Sequence, residues 1–328
     1  MRVAVLGPGG VGGLVAGVLD AAGTEGHLRG TSSPAKSERR ERVAVQVIAR
    51  ESTAQTIAEH GLRVQSVMFG ELHAPVRACA RLREKVDVLI VATKAAGLED
   101  ALERIEVTPG LVLPLLNGLD HIALLRERFG PDRVLAGTIR VESDRPEPGV
   151  IVHTSPFLIV DMATHSPGAR EGMEQIARAL KNAGVPVRVI LPVSERSEAQ
   201  VMWSKLVRLN ALACTTSAYD ELLGEIRSTP QLRADLVATI EEACSVGQAE
   251  GAGDVDPQTA LGELELAHDT LGSSMQRDIA AGRPPELDAI PGAILRAAAR
   301  HDLRCPTIER LVAMIAARAG VPVPALAG

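Results

Sequence analysis

The sequence predicts an α/β domain with an open, largely parallel sheet, followed by an all-helical C-terminal domain. Three observations carry this expectation. Short apolar, β-branched runs alternate with helix-length patterns through roughly the first 190 residues. A glycine-rich turn follows the first of these runs. Beyond residue 195 the β-branched runs thin out and long helical stretches take over. A chain of 328 residues has room for two domains at about 100–200 residues each. The change of character at 192–197 places them at 1–193 and 194–328.

Taken in order, RVAVL at 2–6 reads as a buried strand that stops at glycine, and 11–22 as a helix of small residues. VAVQVIA at 43–49 is a second strand, 62–67 a short third, and VDVLIVA at 86–92 a fourth. LVLPLL at 111–116 and residues 134–139 continue the series. Such nearly unbroken apolar runs suit parallel strands covered on both faces. Helical patterns lie between them at 53–60, 98–105 and 121–129. The second half offers helices at 199–213, 230–250, 257–281 and 287–301. One segment breaks the rhythm. GHLRGTSSPAKSERRER at 26–42 stands where a connection of about 2–6 residues is usual, and reads as an inserted, mobile and solvated surface loop.

Composition narrows the function classes. Hydrophobic residues make up 46% and charged residues 23%, with mean hydropathy +0.11, as in folded globular proteins and not in disordered ones. A net charge of −6 and a pI near 5.8 argue against a nucleic-acid binder. So does an aromatic content of 2%, which leaves few platforms for stacking bases. Cys79, Cys214, Cys244 and Cys305 form no CxxC pair, so no zinc or redox motif is expected, and reduced thiols fit a cytoplasmic location. The N-terminal apolar stretch is broken by Gly7, Pro8, Gly9, Gly10, Gly12 and Gly13, unlike a signal peptide. No run approaches the roughly 18 apolar residues of a membrane span.

Gly7-Pro8-Gly9-Gly10-Val11-Gly12 is a G-x-G-x-x-G pattern between a strand and a helix, the context of a Rossmann-type dinucleotide-binding domain. Gly7 allows the tight turn, Gly9 the approach of a pyrophosphate, and Gly12 close helix–strand packing. The helix N-terminus supplies amide donors and a positive dipole end. A basic residue at the end of the second strand would pair with the 2′-phosphate of NADPH, where an acidic one would select NADH. Arg29 has the usual spacing from the glycines, but Arg50 directly follows VAVQVIA. Arg50 is the expected phosphate ligand, with the adjacent Glu51 a counter-indication.

From these residues outward the chain resembles the ketopantoate reductase family (2-dehydropantoate 2-reductases and relatives). MRVAVLGPGGVGG, VQVIARESTAQTIAEHGLRVQS, VDVLIVATKA, LPLLNGLD and PGVIVHT are similar to its N-terminal blocks. MWSKLVRLNAL and SSMQRDIAAGRPPELDAIPGAILR resemble its two helical signatures. The resemblance implies NADPH-dependent reduction of a 2-keto acid to a 2-hydroxy acid, with a place in pantothenate biosynthesis. It implies Lys205 as the general acid, and hydride addition to a ketone does call for a cation beside the developing oxyanion. It also implies that Glu286 binds the substrate hydroxyl and Ser274 its carboxylate, with Asn117 and Lys94 near the nicotinamide and the carbonyl. Asp278 matches a recurrent acid whose expected role is a local ion pair. The sequence departs from the family at Leu209 and Ala213, where asparagines usually grip the hydroxy-keto acid. Asn210 lies about 100° round the helix from the first of these positions and is not expected to substitute. With these departures the expected substrate is ketopantoate or a less polar analogue, and they keep another hydroxy-acid or opine-type dehydrogenase open; a non-catalytic NADPH-binding module is a further alternative. The helical half can also pair with a second copy in a homodimer.

Overall fold

The computed structural model describes residues 1–23 and 43–325. The segment expected as an insertion, 26–42, and Arg29 within it lie outside the described residues. The chain divides into two compact units, Met1–Leu116 with His121–Ser194, and Asn117–Asp120 with Glu195–Gly328. The short NGLD segment thus packs with the second unit although both its flanks belong to the first.

In the first unit, β1 (Arg2–Leu6), β2 (Ala44–Ile48), β5 (Arg77–Cys79), β6 (Val88–Val91) and β7 (Leu111–Pro114) form a parallel sheet in the order β5-β2-β1-β6-β7. Its two faces feed two separate cores. Val3, Val5, Val47 and Ile90 enter one, while Ala4, Leu6, Ile48 and Leu89 enter the other. Burial on both faces is what the unbroken apolar runs predict.

Two expected members of this sheet lie elsewhere. β3 (Leu62–Ser66) belongs to a second sheet with β4 (Gly70–Ala74), β9 (Ser143–Glu147) and β10 (Val150–His153), in the order β4-β3-β10-β9. Leu62 and Val64 are buried while Arg63 and Gln65 are exposed, the alternation of a one-faced strand. β8 (Ala136–Arg140) pairs antiparallel with β11 (Ile159–Ala163), which β12 (Val187–Val189) extends in parallel. Strand pairing is non-local, so an apolar run announces a strand without naming its neighbours.

The helices are α1 (Gly10–Gly23), α2 (Glu51–His60), α3 (Leu98–Leu102), α4 (His121–Phe129) and α5 (Arg170–Asn182). The last was legible in hindsight: Met173, Ile176, Ala177 and Leu180 are its buried stripe at i, i+3, i+4 and i+7.

α1 is buried on nearly every side, and its glycines explain how. A Cβ on Gly10 would stand 2.3 Å from the Ser143 carbonyl oxygen, one on Gly13 2.4 Å from Ile151 Cδ1, and one on Gly17 2.7 Å from Val64 Cγ2. The stripe lets α1 lie directly on the second sheet. Gly10→Ala is therefore expected to destabilise the protein by about 1–3 kcal/mol, as overpacking against rigid backbone does. That outweighs the roughly 0.5–1 kcal/mol alanine gains in a helix. Urea unfolding measures the difference, and an unchanged or higher midpoint refutes the packing role.

His153 on β10 is buried, with Nδ1 2.8 Å from Ser66 Oγ and Nε2 3.1 Å from Ser155 Oγ. Burial pulls its pKa below the usual 6.5. The unfolded chain then binds a proton that the native state resists. Its effect on stability is absent well above pH 6.5 and becomes a loss as pH falls through that value. Thermal melts between about pH 7 and 5 should show a shallower decline for His153→Asn than for the parent; equal slopes refute this.

The second unit is helical: α6 (Glu195–Tyr219), α7 (Leu223–Ser228), α8 (Pro230–Ala249), α9 (Pro257–Glu265), α10 (Ser274–Ala280), α11 (Ala293–Arg300) and α12 (Pro306–Ala319). The single helix expected over 257–281 is two. Asp256 caps α9 by accepting from the Thr259 amide, Ser273 caps α10 by accepting from that of Gln276, and the intervening residues carry Gly272. The helix expected from 287 begins instead as a π-turn, Asp288–Gly292, around Pro291. Proline lacks the amide of a regular turn, and the Gly292 amide reaches back five residues to the Leu287 carbonyl at 3.1 Å. α6 is buried along most of its length. Val201, Trp203, Lys205, Asn210 and Cys214 are all buried, and it runs through the core of its unit. Glu242 on α8 accepts from the Thr307 and Ile308 amides at 2.8 and 2.9 Å and so caps α12. Among the described residues no helix is long and apolar enough to cross a membrane, and no group of side chains is arranged to hold a metal ion.

Candidate functional site

The glycine loop leaves the C-terminal end of β1. Leu6 pairs with Ile48 of β2 on one side and Val91 of β6 on the other. Gly7 through Gly12, Arg50 and Lys94 therefore emerge from the same edge of three adjacent strands, the edge where open α/β sheets bind ligands. Gly7 has φ +87°, and a Cβ there would lie 2.8 Å from Thr93 Cγ2. Its amide donates to the Ile48 carbonyl at 3.0 Å, and its own carbonyl accepts from Gly9 at 2.7 Å. A Cβ on Gly12 would sit 2.3 Å from the Gly7 carbonyl oxygen, so helix and turn touch backbone to backbone. Among the described residues, the chain neighbours of Gly9 apart, no atom lies within 4 Å of its Cβ position. Pro8 is buried and Val11 packs half-buried on the core. Gly10 uses its missing side chain on Ser143, a packing reason that the motif alone does not reveal.

Arg50 is exposed and sits at the N-cap of α2, two residues past β2. Lys94 is exposed and begins a 3₁₀ turn after β6. Next to it, Thr93 Oγ1 is buried beside Gly7 with no hydrogen-bond partner among the described residues. The ATKA block marks its neighbour Lys94, and no local signal in the sequence marks Thr93. Open space over Gly9, a helix N-terminus, two exposed cations and an unsatisfied hydroxyl are the features that fit a dinucleotide.

In the second unit, Lys205 projects from the middle of α6 and is only 8% exposed. Its Nζ donates to Asn117 Oδ1 at 2.8 Å, and Asn117 Nδ2 donates to Glu286 Oε2 at 2.9 Å. The amide thus stands between an ammonium and a carboxylate, with its oxygen toward the cation and its nitrogen toward the anion. Two local features bring it there. Leu119 packs on the helical core, and Gly118 (φ +87°) lies so close to the π-turn that a Cβ would be 2.1 Å from the Ala289 carbonyl oxygen. Glu286 is half-buried just before that turn, and its carbonyl accepts from the Ile290 amide at 3.1 Å. A partly desolvated ammonium held by a neutral amide can stabilise a developing oxyanion and give it a proton.

Ser274 is not part of this chain. It is the half-buried first residue of α10, and no hydrogen bond joins it to Lys205, Asn117 or Glu286. Its neighbour Ser273 accepts from Thr216 Oγ1 at 2.9 Å and caps the helix. Asp278 accepts from Arg283 Nε at 2.8 Å, the local ion pair expected of it. On α6, Leu209 is half-buried and Ala213 fully buried. Asn210 is turned into the core, where Cys214 Sγ donates to its Oδ1 at 3.3 Å and its Nδ2 has no partner among the described residues. Burial raises the Cys214 thiol pKa and pushes those of Cys244 and Cys305 up to about 12, so these thiols are poor nucleophiles.

The profile of a family described as ketopantoate reductase PanE/ApbA matches residues 3–161, and that of its C-terminal domain matches residues 199–319. A 2-dehydropantoate 2-reductase of Halobacterium salinarum is 28% identical over 324 residues, covering 96% of this chain and 98% of its own. Among solved structures, a ketopantoate reductase from Ralstonia eutropha is similar with TM-score 0.77 and 23% identity, covering 98% of this chain and 99% of its own. D-mandelate dehydrogenase with NADH and anilino(oxo)acetate is similar with TM-score 0.81 and 21% identity, over the same shares. The last two likenesses speak to the fold.

Proposed function

The chain belongs to the ketopantoate reductase family and is an oxidoreductase acting on a keto or hydroxy group, and from that premise we propose that it reduces a 2-keto acid to the 2-hydroxy acid with NADPH. The observation that carries the proposal is the Lys205–Asn117–Glu286 hydrogen-bond chain. The substrate is 2-dehydropantoate or a less polar 2-keto acid. Leu209 and Ala213 leave fewer polar partners for a hydroxylated side chain, and a site without such partners loses selectivity for it.

Gly7 through Gly12 would hold the NADPH pyrophosphate, Arg50 its 2′-phosphate and Lys94 its nicotinamide end, and the cofactor would supply the hydride. Lys205 stabilises the carbonyl oxygen as it becomes an alkoxide and donates the proton that makes it a hydroxyl. Asn117 holds the ammonium in register by accepting from Nζ. Glu286 accepts from a substrate hydroxyl where one is present, and Ser274 contributes to the carboxylate site. The reaction proceeds in the cytoplasm, and the chain acts as a homodimer; a dimeric ketopantoate reductase from Staphylococcus aureus shares the fold.

The test is NADPH oxidation over a panel of 2-keto acids, from 2-dehydropantoate to alkyl and aryl members. Reduction of at least one, with the hydroxy acid identified as product, is expected. Tight dinucleotide binding without turnover of any member refutes the proposal. Oxidation of NADPH only in the presence of an amine identifies an opine-type reaction instead.

A further inference from the structure

Asn117 can serve Lys205 and Glu286 together only if the segment carrying it is fixed against the turn that follows Glu286. Two features of opposite sense fix it. Gly118 lies against Ala289, where a Cβ would be 2.1 Å from the carbonyl oxygen, so backbone contact limits how close the segment can come. Arg296 on α11 limits how far it can withdraw. Its Nη2 donates to Asp120 Oδ2 at 2.6 Å and to the Asp288 carbonyl at 3.0 Å, and its Nη1 donates to Asp288 Oδ1 at 2.8 Å. Nη1 also reaches the Ala325 carbonyl at 3.3 Å. The Arg296 side chain is 14% exposed, whereas the two carboxylates it joins are 54% and 73% exposed.

Asp120 lies three residues after Asn117, and Asp288 two residues after Glu286. The guanidinium therefore ties together the two backbone segments whose side chains meet at the site. A rigid planar fork suits this task, since each edge takes a different acceptor and the geometry between them is set. Lysine, a point charge on a flexible stem, would hold the same charges without fixing their separation.

We propose that Arg296 is a positioning residue, clamping Asp120 to Asp288 and thereby holding Asn117 between Lys205 and Glu286. The catalytic part of this inference rests on the reductase reading above, while its structural part does not.

The test combines kinetics with a probe of Lys205 that needs no turnover. Arg296→Met should lower kcat/KM for the keto acid about 10- to 100-fold, the scale at which a small misplacement of a reacting group is felt. Most of the loss should fall on kcat, and dinucleotide affinity should be unchanged. Asp120→Asn, at an exposed position, weakens the same clamp with little risk to folding and should move kcat in the same direction. In an Asn117→Ala background, Arg296→Met should cost less than about twofold, since its effect runs through Asn117. The chain has five lysines, so ¹³C-labelled lysine gives a resolvable NMR spectrum, with Lys205 assigned by Lys205→Arg. Its ε-methylene signal should move in Arg296→Met and Asp120→Asn toward its place in Asn117→Ala. An unmoved Lys205 signal in both clamp variants overturns the proposal, as does an equal cost of Arg296→Met in both backgrounds. If no keto acid is turned over, the reductase reading fails and the NMR arm alone decides the clamp.

Discussion

Lys205→Met should lower kcat for keto-acid reduction by about 10²–10⁴-fold, the usual contribution of a positioned general acid, while KM changes little. Methionine keeps the length and apolar stem of the lysine, so the core around Trp203 and Leu206 stays filled. What it removes is the charge and the proton, both needed more in the transition state than in the ground state. A loss confined to kcat is the signature of such an interaction. The substitution leaves Asn117 Oδ1 without its donor, so some stability will go with it, and a thermal melt alongside the kinetics separates the two effects. Lys205→Arg should not restore the rate, because a guanidinium holds its proton too tightly and presents a different geometry. Steady-state kinetics with saturating NADPH decides the matter. If Lys205→Met raises KM and spares kcat, the ammonium binds substrate instead of protonating product.

The second large effect concerns cofactor choice. Arg50→Ala should reduce kcat/KM for NADPH by roughly 10- to 100-fold, since a hydrogen bond to a charged group contributes about 1.5–3 kcal/mol. The value for NADH should change little, because a ribose hydroxyl offers no charge for Arg50 to meet. The side chain is exposed and caps nothing with its own atoms, so the fold should tolerate its removal. Comparing both dinucleotides in parent and variant is the measurement. A parent enzyme that already prefers NADH would overturn the assignment and turn attention to Glu51, the adjacent acid.

Particular residues show where sequence reasoning ran out. Strands 2–6, 44–48, 88–91 and 111–114 are readable because burial on both faces writes a nearly unbroken apolar run. The strand at 62–66 was readable as a strand but not as a member of a second sheet, because alternation of exposure says nothing of pairing partners. β9 (SDRPE) carries no apolar signal at all, since its place depends on α1 and β10 and not on its own side chains. Pro291 was visible in sequence, yet the π-turn that absorbs it is a cooperative property of the packed unit.

The α/β beginning, the glycine turn at its first strand, the helical second half and the family are all legible along the chain. These are written in short-range periodicity and in local motifs. That Gly10, Gly13 and Gly17 lay a helix onto a second sheet, and that Asn117 packs with the helical unit, follows from three-dimensional packing. The same holds for the meeting of Lys205, Asn117 and Glu286, and for Arg296 beside Asp120 and Asp288. The separation of 169 positions between Asn117 and Glu286 gives the reason: a hydrogen bond across such a distance in sequence exists only once packing has brought the two segments together, and no local pattern encodes it.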